Sequence, residues 1–152
     1  MSLESVRAFF AANAPEISVI VTEASSATVA LAAEAHGVRP EQIAKTICLR
    51  VGDRMMLIVT SGTARLDNRK FKDRFGGKAR MLEAEQVLEA TSHPVGGVCP
   101  FGLPSPMPVY CDVSLQAFEE VVPAAGATNA AVRLSPQRMA ELTGAEWVDL
   151  CQ

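Results

Sequence analysis

Aromatic residues are scarce in this chain, at 5% of 152 residues with one Trp and one Tyr. That scarcity argues against an RNA binder that works through a row of exposed stacking rings. It also leaves the core to be built from Ala, Val, Leu, Ile and Met. A positive excess is missing too: the net charge is −3. A general basic coat for nucleic acid is therefore not expected, nor is DNA as a partner. Cys48, Cys99, Cys111 and Cys151 form no CxxC pair, and His36 and His93 lie far from any metal-ligand spacing. Neither a zinc site nor a disulfide framework is expected, and no metal or cofactor is implied. Unpatterned cysteines fit a reducing compartment. The opening MSLESVRAFF carries acid and base where a signal peptide needs an apolar run. No stretch approaches the ~20 apolar residues of a membrane span. The expectation is a cytoplasmic protein without a membrane partner.

What is present is the composition of a folded domain: 49% hydrophobic, 20% charged, 10 Gly and 9 Pro. Disorder, collagen and coiled coil each have a different signature. The length suits one domain spanning residues 1–152. An amphipathic helix capped by Ser2 is expected through Asn13, then a β-branched strand from Ile17 to Val21. Ser25 or Ser26 can cap an alanine-rich helix ending at His36-Gly37. Lys45–Arg50 and Arg54–Thr60 flank Val51-Gly52-Asp53, a β-hairpin signal. Asp67 can cap a helix that Gly76-Gly77 ends. A brief strand at Ala79–Leu82, a helix at Glu83–Ala90, a strand at Met107–Asp112 and a helical turn at Leu115–Glu120 follow. A strand at Ala130–Leu134, a helix at Ser135–Thr143 and a strand at Trp147–Leu150 complete the order. Strands and helices intermix over short connections, which predicts an α+β fold with a mixed sheet. The loop from His93 to Pro108 holds five of the nine prolines. Loops of that length in a compact domain usually carry function.

Three features could carry chemistry. Arg65 to Arg80 contains seven of the fourteen basic residues against Asp67 and Asp73 alone. It reads either as a solvated helix face or as a local phosphate-binding patch. Lys45 stands at the entrance of an apolar strand, as an edge lysine that discourages aggregation or as a positive charge at a cleft rim. Gly96-Gly97-Val98-Cys99-Pro100-Phe101-Gly102 can bring backbone N–H groups close to a ligand carbonyl, or can be a tight structural turn. It matches no phosphate-loop motif. A thiol-dependent hydrolase would need a Cys99–His93 dyad, for which six residues of separation prove nothing. Ser61 lacks the elbow context of a serine hydrolase. Asp112, ending a strand, could orient a substrate group or cap a turn.

Taken together, Gln42-Ile43-Ala44-Lys45-Thr46, Gly96 to Gly102, Val132-Arg133-Leu134-Ser135-Pro136 and Leu142-Thr143-Gly144-Ala145 resemble the YbaK/EbsC family. That family comprises the free-standing relatives of the prolyl-tRNA synthetase editing domain. The marks are the lysine before a Thr-led strand and the G-x-x-x-P loop, here Gly96 to Pro100, with similarity from about Val21 to Leu150. The resemblance implies a barrel-like mixed sheet surrounded by helices. It implies hydrolysis of the ester between a wrong amino acid and tRNA, most simply alanine or cysteine on tRNA(Pro), with serine a further candidate. Water attacks with help from the terminal ribose hydroxyl, without metal or protein nucleophile. By position, Lys45 would hold the terminal phosphate or the substrate near its carbonyl, and the backbone of Gly96, Gly97 and Val98 would stabilise the oxyanion. Thr46, Val98, Cys99, Pro100, Phe101 and Asp112 are the expected substrate-binding residues, and Arg69, Lys70, Lys72 and Arg74 the expected tRNA-backbone contacts. A synthetase is a possible second partner, and a non-catalytic binder of aminoacylated ends is the alternative to an enzyme. Two departures stand out: Cys99 where the family often has serine or another small residue, and Ala125–Asn129, a turn only partly matched.

Overall fold

The computed structural model describes residues 2–152. Helix α1 (Ser2–Asn13) buries Val6 and Phe10. The strand expected from Ile17 shortens to β1 (Ile20–Val21), because the Ile17 N–H donates to the Ala14 carbonyl and turns the chain back toward α1. Helix α2 (Val29–His36) is capped by Thr28, not Ser25 or Ser26; the Thr28 hydroxyl accepts from the Leu31 N–H. A 3-10 turn at Pro40–Gln42 leads into β2 (Ile43–Val51) and β3 (Arg54–Ser61). These two form the expected hairpin, turning at Gly52 with φ +58°. Asp67 caps α3 (Asn68–Phe75) through the N–H groups of Arg69 and Lys70. There follow β4 (Arg80–Met81), α4 (Ala84–Thr91), β5 (Val109–Asp112) and a 3-10 turn at Val113–Ala117. The chain ends with β6 (Val122–Pro123), β7 (Ala130–Ala131), α5 (Pro136–Thr143) behind its Ser135 cap, and β8 (Glu146–Val148).

The sheet is mixed but open, which corrects the expectation of a barrel. Its strand path runs β4-β2-β3-β5-β8, and β6 also pairs with β2. Barrel closure needs strands long enough to pair on both sides with a consistent stagger. Here β4 and β6 have two residues each and share one edge of β2, at Leu49–Arg50 and Ile43–Ala44 respectively. At the other end β8 pairs with β5 over three residues. A separate pair, β1 with β7, stands beside this sheet.

Strand alternation divides the interior. Ala44 and Cys48 of β2, with Leu57 and Val59 of β3, face a core closed by α1, α5 and the loop after α4. Leu49, Val51, Met56 and Ile58 face the opposite side, covered by Phe71 and Phe75 of α3. The hairpin is therefore buried on both faces over most of its length, and the outer edge of β2 is left open between its pairings with β6 and β4.

Candidate functional site

That edge borders a cavity of about 300 Å3. One wall is β2 from Ile43 to Cys48, and the start of α2 with Ala27, Val29 and Ala32 forms another. Gly96 and Val98 of the long loop close it. The fold thus brings Lys45, Thr46, Gly96 and Val98 to one place, across some fifty residues of sequence. Gly97, Cys99, Pro100, Phe101 and Asp112 are not among the lining residues.

Lys45 borders the cavity, but it shares strand parity with Ile47 and Leu49, so its side chain turns to the α3 face. There Nζ donates to the Ala64 carbonyl at 2.9 Å. Partial burial pulls its pKa down; the nearby Cys151 thiol opposes this and the Arg65 charge adds to it. An ammonium on the rim, held by one neutral carbonyl, can still accept a phosphate oxygen.

The loop is built by close backbone approach. Gly96 adopts φ +93°, and a Cβ there would stand 2.9 Å from that of Ala27. The Gly97 N–H closes a turn onto the Pro94 carbonyl at 2.8 Å, while its own carbonyl accepts from the Gly126 N–H at 2.9 Å. Among the described residues the N–H groups of Cys99, Phe101 and Gly102, which lie off the cavity, have no partner, and neither have those of Gly96 and Val98. Both residues line the cavity.

Behind the loop lies a buried support that the sequence did not reveal. His93 is fully buried, and its Nε2–H donates to the Phe101 carbonyl at 2.7 Å. Its Nδ1 lies 2.7 Å from the Ser2 hydroxyl, whose single proton is shared between that nitrogen and the Gly126 carbonyl. Phe101 packs on Phe10 with ring centroids 4.7 Å apart. His93 therefore ties α1 to the far end of the loop. Cys99 Sγ lies 3.5 Å from Nε2, the nitrogen already donating to Phe101, so the ring is not poised as its base. Burial pushes the Cys99 thiol up to about 12 and leaves it no exposed surface. This geometry gives a packed thiol rather than a nucleophile.

Asp112 is likewise internal, at 1% exposure. It accepts from the Ser114 N–H at 2.9 Å and the Leu150 N–H at 2.7 Å, clamping the C-terminal segment to β5. On α3 the basic residues divide. Lys70 bonds Asp149 and the Cys151 carbonyl at 3.0 and 2.7 Å. Arg74 pairs with Glu146 and lies over Phe75 and Tyr110. Arg69 and Lys72 are exposed, and their side chains have no partner among the described residues. No group of three or more potential metal ligands occurs among the described residues. No helix there is long and apolar enough to cross a membrane.

Comparison with known proteins fits this arrangement. The family model for the aminoacyl-tRNA editing domain matches residues 23–142. The uncharacterised protein YwhH of Bacillus subtilis (strain 168) is 47% identical over 154 residues, covering 100% of this chain and 98% of the relative. A solved structure described as "a putative trans-editing enzyme for prolyl tRNA synthetase" is 33% identical with a TM-score of 0.92, covering 99% of this chain and 97% of that one. The crystal structure of hypothetical protein APE2540 is 30% identical with a TM-score of 0.89, covering 97% of this chain and 99% of that one. The chain belongs to the aminoacyl-tRNA editing domain family, within the YbaK/EbsC-like trans-editing group.

Proposed function

We propose that this protein is a trans-editing deacylase that hydrolyses the ester of a mischarged tRNA, with alanine or cysteine on tRNA(Pro) as the first candidates and serine next. The observation that carries the reading is one cavity bordered by Lys45 and lined by Gly96 and Val98, whose N–H groups have no partner among the described residues. The small volume and the walls of Ala27, Val29 and Ala32 suit a small side chain. Such a pocket discriminates poorly by one methylene or hydroxyl, so a tRNA or synthetase partner would supply the remaining selectivity.

The chemistry needs little from the protein, because an aminoacyl ester is already activated. Water adds to the carbonyl carbon, assisted by the terminal ribose hydroxyl. The oxygen of the tetrahedral adduct is stabilised by the Gly96 and Val98 N–H groups. The C–O ester bond then breaks, and the ribose oxygen leaves with a proton. Lys45 holds the terminal phosphate at the rim and fixes the ester over the loop. Its ammonium lies on the same face of the sheet as α3, so a tRNA strand leaving the cavity would run toward Arg69 and Lys72. The test is a panel of Ala-, Cys- and Ser-tRNA(Pro). Enzyme-dependent deacylation of at least one supports the reading, and protection of the ester without turnover selects a binding module instead.

A further inference from the structure

The edge of β2 has a gap at its centre. β6 pairs with Ile43 and Ala44, and β4 with Leu49 and Arg50, so no strand covers Thr46. The direction of its peptide groups follows from β3. The Leu57 N–H donates to the Pro108 carbonyl and the Ser61 N–H to Ser114 Oγ, both away from β2. The alternate residues Ile58 and Thr60 therefore face β2, opposite Ile47 and Lys45. Thr46, between these two, turns its N–H and C=O outward into the cavity. Neither group has a hydrogen-bond partner among the described residues. Its side-chain Oγ1 is also buried and unpartnered.

Three unmade polar contacts on one residue, in a cavity lined mainly by Ala, Val, Ile and Met, mark a ligand position. No Asp or Glu lines the cavity, so a group held there meets neutral acceptors, the Thr46 carbonyl and hydroxyl oxygens. They suit a small donor with more than one hydrogen. In an aminoacyl ester that donor is the amino group, one bond from the carbon next to the carbonyl that faces the loop. A ribose hydroxyl offers a single hydrogen.

We propose that the uncovered edge of β2 at Thr46 holds the α-amino group of the aminoacyl ester, restricting the reaction to esters of unblocked α-amino acids. This rests on the deacylase reading and adds the substrate feature that the protein recognises. The amino group of such a ligand titrates near neutrality, and it donates to both oxygens in either protonation state.

The experiment compares alanyl-, lactyl- and N-acetylalanyl-tRNA(Pro), with each enzymatic rate normalised to the uncatalysed rate of the same ester. Loss or blocking of the amine should lower normalised kcat/KM by about 10- to 100-fold, the worth of one or two hydrogen bonds to a polar or charged group. Thr46→Val should slow the alanyl ester more than the lactyl ester, shrinking their ratio, without lowering Tm because Oγ1 has no internal partner. Lactyl and N-acetylalanyl esters hydrolysed within about 3-fold of the alanyl ester would overturn the proposal while leaving the deacylase reading intact. Failure to hydrolyse the alanyl, cysteinyl and seryl esters would overturn that reading, and this proposal with it.

Discussion

Gly97 gives the sharpest handle on the loop. A Cβ there would lie 2.7 Å from the Ala127 nitrogen and 2.9 Å from its Cα and carbonyl carbon. All three are backbone atoms, so no rotamer change relieves the contact. Reaching the 3.4 Å of an ordinary contact from 2.7 Å requires the loop and the Ala125–Asn129 turn to separate by several tenths of an ångström. That movement stretches the bond from the Gly126 N–H to the Gly97 carbonyl, now 2.9 Å. Overpacking of this kind costs about 1–3 kcal/mol, or roughly 2–12 °C in Tm for a chain of this size. Gly97→Ala should also displace the neighbouring Gly96 and Val98 donors and slow deacylation by about 10- to 100-fold, since ångström-scale misplacement costs about 100-fold. Gly144→Ala is the control. Its φ of +68° strains a non-glycine residue, but nothing lies within 4 Å of the new Cβ. It should lose about 1–2 kcal/mol and keep the wild-type rate at temperatures where it is folded. Thermal unfolding followed by single-turnover deacylation separates the two effects. A Gly97→Ala protein with wild-type Tm and rate would refute the argument.

Three further outcomes follow from the same structure. Burial lowers the pKa of His93 and of His36, so the unfolded chain takes up protons before the folded one. Their contribution to stability is complete above the unfolded value near pH 6.5 and is lost as pH falls below it; His93→Gln should flatten that decline by up to about 1.4 kcal/mol per pH unit in denaturant titrations. Charge reversal at Arg69 and Lys72 should weaken tRNA binding and flatten its salt dependence, whereas Lys70→Glu should chiefly lower stability by breaking its contacts to Asp149 and Cys151. Cys99→Ala should lose about 1–3 kcal/mol from the core while retaining deacylation, and loss of all activity in a folded variant would restore a thiol mechanism.

Local signals in the sequence were easiest to read. The hairpin, the Asp67 cap and the glycine stops after α2 and α3 depend on neighbouring residues, and the structure has them. β6 has no local signature, because two residues, one of them proline, carry no alternation and only long-range parallel pairing makes them a strand. The open sheet was hidden for the same reason: closure depends on which edges β4 and β8 reach, not on the pattern within either strand. Lys45 and the loop stood out by residue type. That Gly97 is engaged within its turn, that His93 supports the loop from behind, and that Asp112 is a structural clamp all depend on contacts across the chain. The uncovered edge at Thr46 depends on where β4 and β6 stop along β2, which no local pattern encodes.

The most direct measurement is the single-turnover rate of Ala-tRNA(Pro) deacylation by Lys45→Ala beside wild type, with folding verified by Tm. The Nζ atom makes one surface-side bond, to Ala64, so the variant should remain folded. The account predicts enzyme-dependent hydrolysis by wild type and a loss of at least about 10-fold in the variant, the worth of one charge-assisted contact. A folded Lys45→Ala protein that deacylates at the wild-type rate would contradict it.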